Sequence, residues 1–254
     1  MQIHFLRHAT LVLAIEGLYI LVDPMLSPAG AMPPVANAAD DRRVPLVELP
    51  LAEVELEYML DHIDAVLVTH THRDHWDDRA AELLLKQLPI ICQPEDEDKL
   101  RQAGFAAVQP VPARHEWRGV EFQRTGGQHG TGEIGAKMAP VSGFVLRAAG
   151  EPALYLAGDT IWCPEVEQAL HTYQPDVVIV NAGAAQFLVG DPITMTADDV
   201  AQVCHALPTA QVIAVHMEAI NHCLLTRAQL SVRLEEQGLA SRVLIPGDGA
   251  LVEL

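Results

Sequence analysis

The sequence predicts an α/β fold in which helices cover both sides of paired β-sheets. Three observations support this: predicted strands and helices interleave along all 254 residues, no change in composition marks a linker, and no segment repeats. Hydrophobic residues make up 50% of the chain and charged residues 20%, as in ordinary globular proteins. We therefore predict one domain over residues 1–254, with a proline-rich loop insert at about 24–50.

The first 23 residues are predicted to form short antiparallel strands over 3–6, 11–15 and 18–22, with a turn at Glu16 and Gly17. The segment 24–50 then carries six of the 17 prolines and little periodicity, which predicts a long loop. This loop is equally compatible with a lid over a site and with a plain surface excursion.

The next predicted unit is a strand, a polar turn and a helix. Residues 64–69 form an apolar run typical of a strand buried on both faces, and a helix is predicted over 78–87. The acidic run 95–98 follows a proline and precedes helical residues, which indicates helix capping rather than a binding site. Further strands are predicted at 120–125, 141–147, 152–157, 176–181, 211–215 and 242–245, and further helices near 164–172, 196–206 and 226–238.

Composition argues against several classes of function. The 34 acidic and 16 basic residues leave a net charge of −18, which should repel nucleic acids and anionic membranes. The apolar stretch 10–22 is interrupted at its centre and lacks a signal-peptide cleavage site, and no apolar run is long enough to span a membrane. The four cysteines lie far apart without a CxxC pair. We expect a cytoplasmic protein with reduced thiols.

The most informative motif directly follows the 64–69 strand. His70, His72, Asp74 and His75 form the pattern His-x-His-x-Asp-His, and alternation along extended backbone places the first three on one face. A solvated loop is the alternative, but clustered imidazoles repel one another when protonated unless a metal or carboxylates compensate. Imidazole and carboxylate ligands without thiolate favour zinc and also suit manganese or iron, and more than about four ligands imply a second ion.

These residues resemble the signature of the metallo-β-lactamase superfamily. The superfamily's later ligands are matched in order by His129, Asp159 and His216, each near the end of a predicted strand. Residues 5–9, 20–24 and 190–195 resemble the branch that contains the L-ascorbate 6-phosphate lactonases. The chain departs from that branch at Arg7, where glycine is frequent, and in the proline-rich insert.

The resemblance implies a four-layer αββα sandwich with two divalent metal ions at one edge of its sheets. His70, His72 and His129 would hold one ion, Asp74, His75 and His216 the other, and Asp159 would bridge both. The implied activity is that of a binuclear metal-dependent hydrolase, in which a metal-bridged hydroxide cleaves a small-molecule ester, lactone or phosphodiester. Asp74 would be catalytic by orienting the nucleophile and carrying its proton.

Two further histidines are candidates for contact with the substrate. His222 lies six residues after His216, where it could reach the substrate or cap the following helix, and His8 lies at a turn that the resemblance places near the metals. His115 competes with His129 as a ligand but precedes its strand. A phosphorylated substrate would require cations, for which Arg73, Arg124 and Lys137 are the candidates.

Three alternative functions are retained. A non-catalytic metal-binding or regulatory module would keep the fold without turnover. An RNA-processing nuclease would require a basic surface that this acidic chain lacks, and a diiron redox protein would typically replace a signature histidine by a carboxylate. We expect a small-molecule substrate, with no nucleic-acid or membrane partner, and the sequence is compatible with a homo-oligomer.

Overall fold

A computed structural model describes all 254 residues and contains two seven-stranded sheets. The strands of the first sheet are β1 (Gln2–Arg7), β2 (Thr10–Ile15), β3 (Leu18–Val22), β4 (Ala65–Val68), β5 (Ile90–Cys92), β6 (Val108–Pro110) and β14 (Leu251–Glu253). Their spatial order is β14-β1-β2-β3-β4-β5-β6, antiparallel as far as β3 and parallel from β3 to β6. Between β2 and β3, Glu16 and Gly17 have φ of 51° and 75°, as a two-residue hairpin turn requires.

The second sheet also combines antiparallel and parallel strands. Its strands are β7 (Arg114–Trp117), β8 (Val120–Thr125), β9 (Gly143–Arg147), β10 (Leu154–Leu156), β11 (Val177–Asn181), β12 (Gln211–Val215) and β13 (Val243–Leu244). They lie in the order β13-β12-β11-β10-β9-β8-β7, parallel from β10 to β13 and antiparallel from β7 to β10. Each sheet therefore joins an antiparallel half to a parallel half.

Six helices connect successive parallel strands, and a seventh lies before β9. In chain order they are α1 (Glu53–Leu60), α2 (Asp78–Leu83), α3 (Glu97–Gln102), α4 (Gly132–Met138), α5 (Pro164–Tyr173), α6 (Ala197–Ala206) and α7 (Arg227–Glu236). The acidic run 95–98 occupies a 3₁₀ turn and the start of α3, as the capping interpretation predicts. Helix α2 is shorter than predicted, because Leu84 takes extended backbone angles and packs into the core.

Three apolar cores produce four layers. Twenty buried residues contributed by both sheets, among them Phe5, Leu13, Phe122 and Phe144, fill the space between the sheets. A second core packs α1, α2 and α3 on the outer face of the first sheet, and a third packs α5, α6 and α7 on the outer face of the second. The αββα sandwich is thereby confirmed. That the chain is organised as a single domain stays a prediction.

The proline-rich segment 24–50 contains no helix or strand beyond one bridge between Met32 and Val44. Arg7, which is fully buried, secures it: the guanidinium donates hydrogen bonds to the carbonyls of Met25, Ser27 and Val47 at 2.8–2.9 Å. Burial lowers the pKa of Arg7 to about 10. Arg7 and the proline-rich insert are the two points at which the chain departs from the branch that contains the lactonases. The two are physically coupled, because Arg7 binds the insert.

The segment also packs against the part of the chain that follows β12. Met25 and Val44 share a small apolar core with Ala219 and Ile220, and the Asn221 side chain hydrogen-bonds to backbone atoms of the segment. The loop is therefore a packed part of the fold. None of the helices has the length and hydropathy that crossing a bilayer would demand.

Candidate metal centre

The site residues lie where strands end. His70 and His216 follow the parallel strands β4 and β12, Asp159 follows β10, and His129 follows β8. His8 occupies the turn between β1 and β2. Because the carboxyl ends of parallel strands meet at one edge of a sheet, residues far apart in sequence converge there.

Backbone geometry at these strand ends is unusual. His8 and His216 have φ of 61° and 72°, in the left-handed region that residues other than glycine seldom adopt, and the His216 N–H donates to the His8 carbonyl at 2.8 Å. Before Asp159, Gly158 has φ of 70° and lies so close to Ser142 that a Cβ would approach the Ser142 carbonyl oxygen to 2.5 Å. Glycine is therefore required at position 158.

Three histidines form the first group of candidate ligands. His70 Nε2 lies 2.9 Å from His72 Nδ1, and the ring centroid of His129 lies 5.3 Å from that of His72. One nitrogen from each of the three rings lies within 4.8 Å of the others. This is the trio that the sequence analysis assigned to one metal ion.

The second group contains Asp74, His75 and His216, and the structure adds His8 to it. The Nε2 atoms of His75 and His216 are 3.2 Å apart, and Asp74 Oδ2 lies 3.6 Å from His216 Nε2. His8 is fully buried, its Nε2 lies 3.1 Å from Asp74 Oδ2, and its ring lies over that of His216 with centroids 3.6 Å apart. His8 thus lies directly beside a candidate ligand.

Asp159 lies between the two groups. Its Oδ2 is 3.4 Å from His129 Nε2 and 3.3 Å from His75 Nε2, while its Oδ1 is 3.2 Å from His216 Nε2. The side-chain amide of Asn181 donates to Oδ1 at 2.7 Å. One carboxylate therefore contacts donors of both groups, as a bridging ligand must.

The donor atoms suit a metal centre. Donors about 2.0–2.1 Å from a tetrahedral zinc ion lie about 3.3 Å from one another, and several separations here are 3.2–3.4 Å. The donors are imidazoles and carboxylates, which favour zinc, manganese or iron. The residues present thus fit divalent metal ions.

Outer residues orient the imidazoles. Asp23 Oδ2 accepts hydrogen bonds from His75 Nδ1 at 2.8 Å and from the Thr69 hydroxyl at 2.7 Å, and that hydroxyl oxygen lies 3.0 Å from His70 Nδ1. His129 Nδ1 donates to the Ile193 carbonyl at 2.8 Å. An Nδ1 proton held in this way leaves Nε2 free to bind a metal ion, and the three rings follow that pattern.

Burial and neighbouring charges act together on protonation. Burial lowers the pKa of His8 to about 3, and the adjacent His216 acts in the same direction. Burial alone would raise the pKa of Asp74 and Asp159, but the surrounding histidines hold both well below the usual value. Burial likewise opposes charge on His75, yet nearby carboxylates hold its pKa well above the usual value. The cluster therefore favours ionised carboxylates.

The remaining predicted residues lie outside the two groups. His222 is buried, its Nδ1 has no hydrogen-bond partner, and burial lowers its pKa to about 4. His115, on β7, hydrogen-bonds to the side chain of Gln109, on β6 of the other sheet. Arg124 donates to Ser142 and Glu95. Neither His115 nor Arg124 belongs to a candidate ligand group.

Sequence reasoning missed the outer residues Asp23, Asn181 and Cys223. Asp23 directly follows β3, the neighbour of β4 in the sheet. A carboxylate at the end of that strand was the sequence signal that could have indicated its place beside the ligands. Cys223 Sγ lies 3.7 Å from His216 Nδ1, and nothing in the spacing indicated this contact.

Comparisons with known proteins agree with this geometry. A family model described as "Beta-lactamase superfamily domain" matches residues 19–217. The "UPF0173 protein YddR" of Bacillus subtilis is 37% identical over 252 residues, covering 98% of each chain. A "possible metal-dependent hydrolase" from Veillonella parvula has a crystal structure that matches with a TM-score of 0.95 and 35% identity, covering 100% of this chain and 99% of the other.

A second similar crystal structure is that of an enzyme with a named activity. It is an isothiocyanate hydrolase from Delia radicum gut bacteria, with a TM-score of 0.94 and 36% identity over 100% of this chain and 99% of that chain. Both similarities extend over the whole of this chain.

Proposed function

Because this chain belongs to the metallo-β-lactamase superfamily and is a metal-dependent hydrolase, we propose that it hydrolyses a small uncharged molecule at an electrophilic carbon, using two divalent metal ions. The observation that carries the proposal is the convergence of two groups of candidate ligands on Asp159. Isothiocyanates are the first compound class to test, since a relative 36% identical over its length is an isothiocyanate hydrolase.

The proposed ligand division is supported by two of the three groups whose donor atoms lie within 4.8 Å of one another. His70, His72 and His129 would hold one ion, Asp74, His75 and His216 the other, and Asp159 would contact both. Zinc is the favoured metal, and manganese and iron suit the same donors. When bound, such ions lower the pKa of coordinated water toward about 7 and polarise the bond under attack.

Asp74 is the residue proposed to accept the proton from water and to donate it to the leaving group. Its side chain is 13% exposed, against 3% for Asp159, so it is the more accessible of the two carboxylates. His8 Nε2 contacts Asp74 Oδ2 and fixes the carboxylate's orientation. The carboxylate can then align the attacking water and accept its proton. That His8 also contacts the substrate stays a prediction.

Hydrolysis of an isothiocyanate consumes one water molecule. A bond forms between the water oxygen and the central carbon, both water protons end on the nitrogen, and the carbon–nitrogen bond breaks. The products are an amine and carbonyl sulfide, with no oxidant or reductant required. The nitrogen is the atom that needs a proton, and Asp74, having accepted one from water, would return it.

A charged phosphodiester is a poorer fit than an uncharged substrate. The site contains two ionised carboxylates, and the nearby cation Arg124 is already paired with Glu95. Lys99 donates to the carbonyl of Thr71. Beyond the metal ions, an anionic substrate would therefore depend for positive charge on Arg73 and Lys137, neither of which forms an ion pair with a carboxylate. Esters and lactones, which also present an electrophilic carbon, are the second class to test.

The direct test is turnover by the zinc-loaded protein. Allyl and phenethyl isothiocyanate, an aryl ester, a lactone and a bis-aryl phosphodiester are supplied separately, and amine, acid or phenol release is measured. We expect turnover of at least one carbon electrophile and loss of turnover on chelation. Turnover of the phosphodiester alone would overturn the proposed substrate class, and a metal-loaded protein inert toward all five would favour the non-catalytic module.

A further inference from the structure

A cavity of about 490 Å³ lies beside α4, the helix that follows His129. Its walls are mostly apolar: Ile134 and Met138 of α4 face Phe187, Leu188 and Val189 of the segment after β11, and Asn37 and Lys137 complete the lining. Its volume is in the range of small-molecule sites, about 300–1,000 Å³.

Both walls are attached to the same candidate ligand, His129. Helix α4 begins three residues after His129, and the opposite wall leads to Ile193, whose carbonyl accepts the hydrogen bond from His129 Nδ1. The walls also approach each other closely, since a Cβ on Gly190 would lie 2.3 Å from Ile134 Cδ1. The two walls of the cavity are therefore connected to the metal centre through His129.

His222 lies beside the cavity wall, and Asp74 and His216 of the second ligand group act on its charge. Its ring centroid is 5.7 Å from that of Phe187, and its carbonyl accepts a hydrogen bond from the Gln186 N–H at 2.9 Å. His222 is 6% exposed, and its Nδ1 is buried without a partner. A buried ring nitrogen of this kind is available to a polar atom of a ligand.

The outer wall is unusually exposed for apolar residues. Leu188 is 66% exposed and Val189 is 79% exposed. An apolar wall open to water beside a reactive centre is suited to cover part of a bound molecule.

We propose that this cavity binds the uncharged alkyl or aryl substituent of the substrate, while the polar reactive end lies between His222 and the metal ligands. The proposal rests on the proposed function for the position of the reactive end. It predicts a preference for substrates with an apolar chain of several carbons over those with a single methyl group. Lys137 lies at the exposed rim, where its amine can remain in water.

The test uses hydroxamates, whose head group binds divalent metal ions and whose chain length can be varied. Binding of acetohydroxamate and octanohydroxamate to the zinc-loaded protein is measured by calorimetry, so no turnover is needed. Each buried methylene strengthens binding about fourfold, so three buried methylenes predict that octanohydroxamate binds about 60-fold more tightly. The double variant Leu188→Ser/Val189→Ser should lose about tenfold for octanohydroxamate and nothing for acetohydroxamate.

The matched control is Val54→Ser on α1, where the valine is 70% exposed and far from the cavity in the fold. It should leave both affinities unchanged. Equal binding of the two hydroxamates, absence of binding by both, or an undiminished octanohydroxamate affinity in the double variant would overturn the cavity proposal. Failure of the proposed function is a different result: chain-length-dependent binding with no hydrolysis of any isothiocyanate, ester or lactone.

Discussion

Asp74 combines accessibility with a fixed orientation, and this combination is what a proton-carrying carboxylate needs. Replacing it by asparagine keeps the shape but removes the proton acceptor, so we expect kcat to fall about 100-fold or more with the fold intact. Steady-state kinetics and circular dichroism check this. Asp78→Asn, at an exposed position in the first turn of α2, is the matched control and should retain activity. A folded Asp74→Asn protein with normal turnover would remove Asp74 from the mechanism.

His222 makes stability depend on pH. Burial lowers its pKa in the folded state to about 4, below about 6.5 in the unfolded chain. The unfolded state therefore binds more protons as pH falls from 6.5 toward 4, and the free energy of unfolding decreases over that range. In the metal-free protein, His222→Gln should remove about 2 kcal/mol of the loss between pH 7 and pH 5.

Urea unfolding at the two pH values measures this effect. His205→Gln is the control, because it makes the same substitution at an exposed position on α6. If the free energy of unfolding depends on pH identically in His222→Gln and in the unsubstituted protein, folding does not lower the pKa of His222. That result would contradict the prediction.

At the level of elements, Arg7 fixes the proline-rich segment. Its guanidinium donates to three carbonyls of that segment from a fully buried position. Arg7→Met leaves those acceptors without partners and should cost about 3 kcal/mol of unfolding free energy. Arg43→Met is the control: it also donates to carbonyls of the segment, at Gly30 and Ala31, but from an exposed position, and should cost less than about 1 kcal/mol. Denaturant titration distinguishes the two, and equal costs would contradict the anchoring role.

Elements with strong local signals could be predicted from the sequence. The strands β2, β3 and β12 and the helices α5, α6 and α7 occur within a residue or two of the predicted positions, because their apolar patterns match their burial. The three-residue strands β5 and β6 are too short to show a pattern. Helix α4 follows a glycine-rich run and carries no buried residue, so its sequence lacks the amphipathic period that identifies other helices.

At the scale of the whole molecule, the candidate ligands could be predicted from the sequence. The residues that contact and orient those ligands could not. The motif at residues 70–75 is local, and the resemblance to the superfamily indicated His129, Asp159 and His216, each near the end of a predicted strand. The contact between Asp23 and His75 joins residues 52 apart, and that between His8 and Asp74 joins residues 66 apart. Such contacts depend on which strands are neighbours, and local pattern does not determine strand order.

The concentration of carboxylates and imidazoles at one sheet edge couples metal binding to stability. Removing the ions leaves these groups buried with incomplete compensation, so chelation should lower Tm by about 10 °C. Thermal unfolding with and without EDTA, followed by zinc addition, measures the shift. His129→Ala should show a smaller shift because one ligand group is incomplete. If EDTA leaves the Tm of the metal-loaded protein unchanged, metal binding is not coupled to stability and the prediction is contradicted.

Metal content per chain tests the metal centre most directly. Elemental mass spectrometry is carried out on protein purified without chelator or histidine tag, before and after reconstitution with zinc. The geometry predicts about two ions per chain, and about one in His129→Ala, because the first ligand group would lose a member while the second stays complete. Absence of bound metal in the unsubstituted protein after reconstitution would contradict the assignment of this cluster as the centre of a metal-dependent hydrolase.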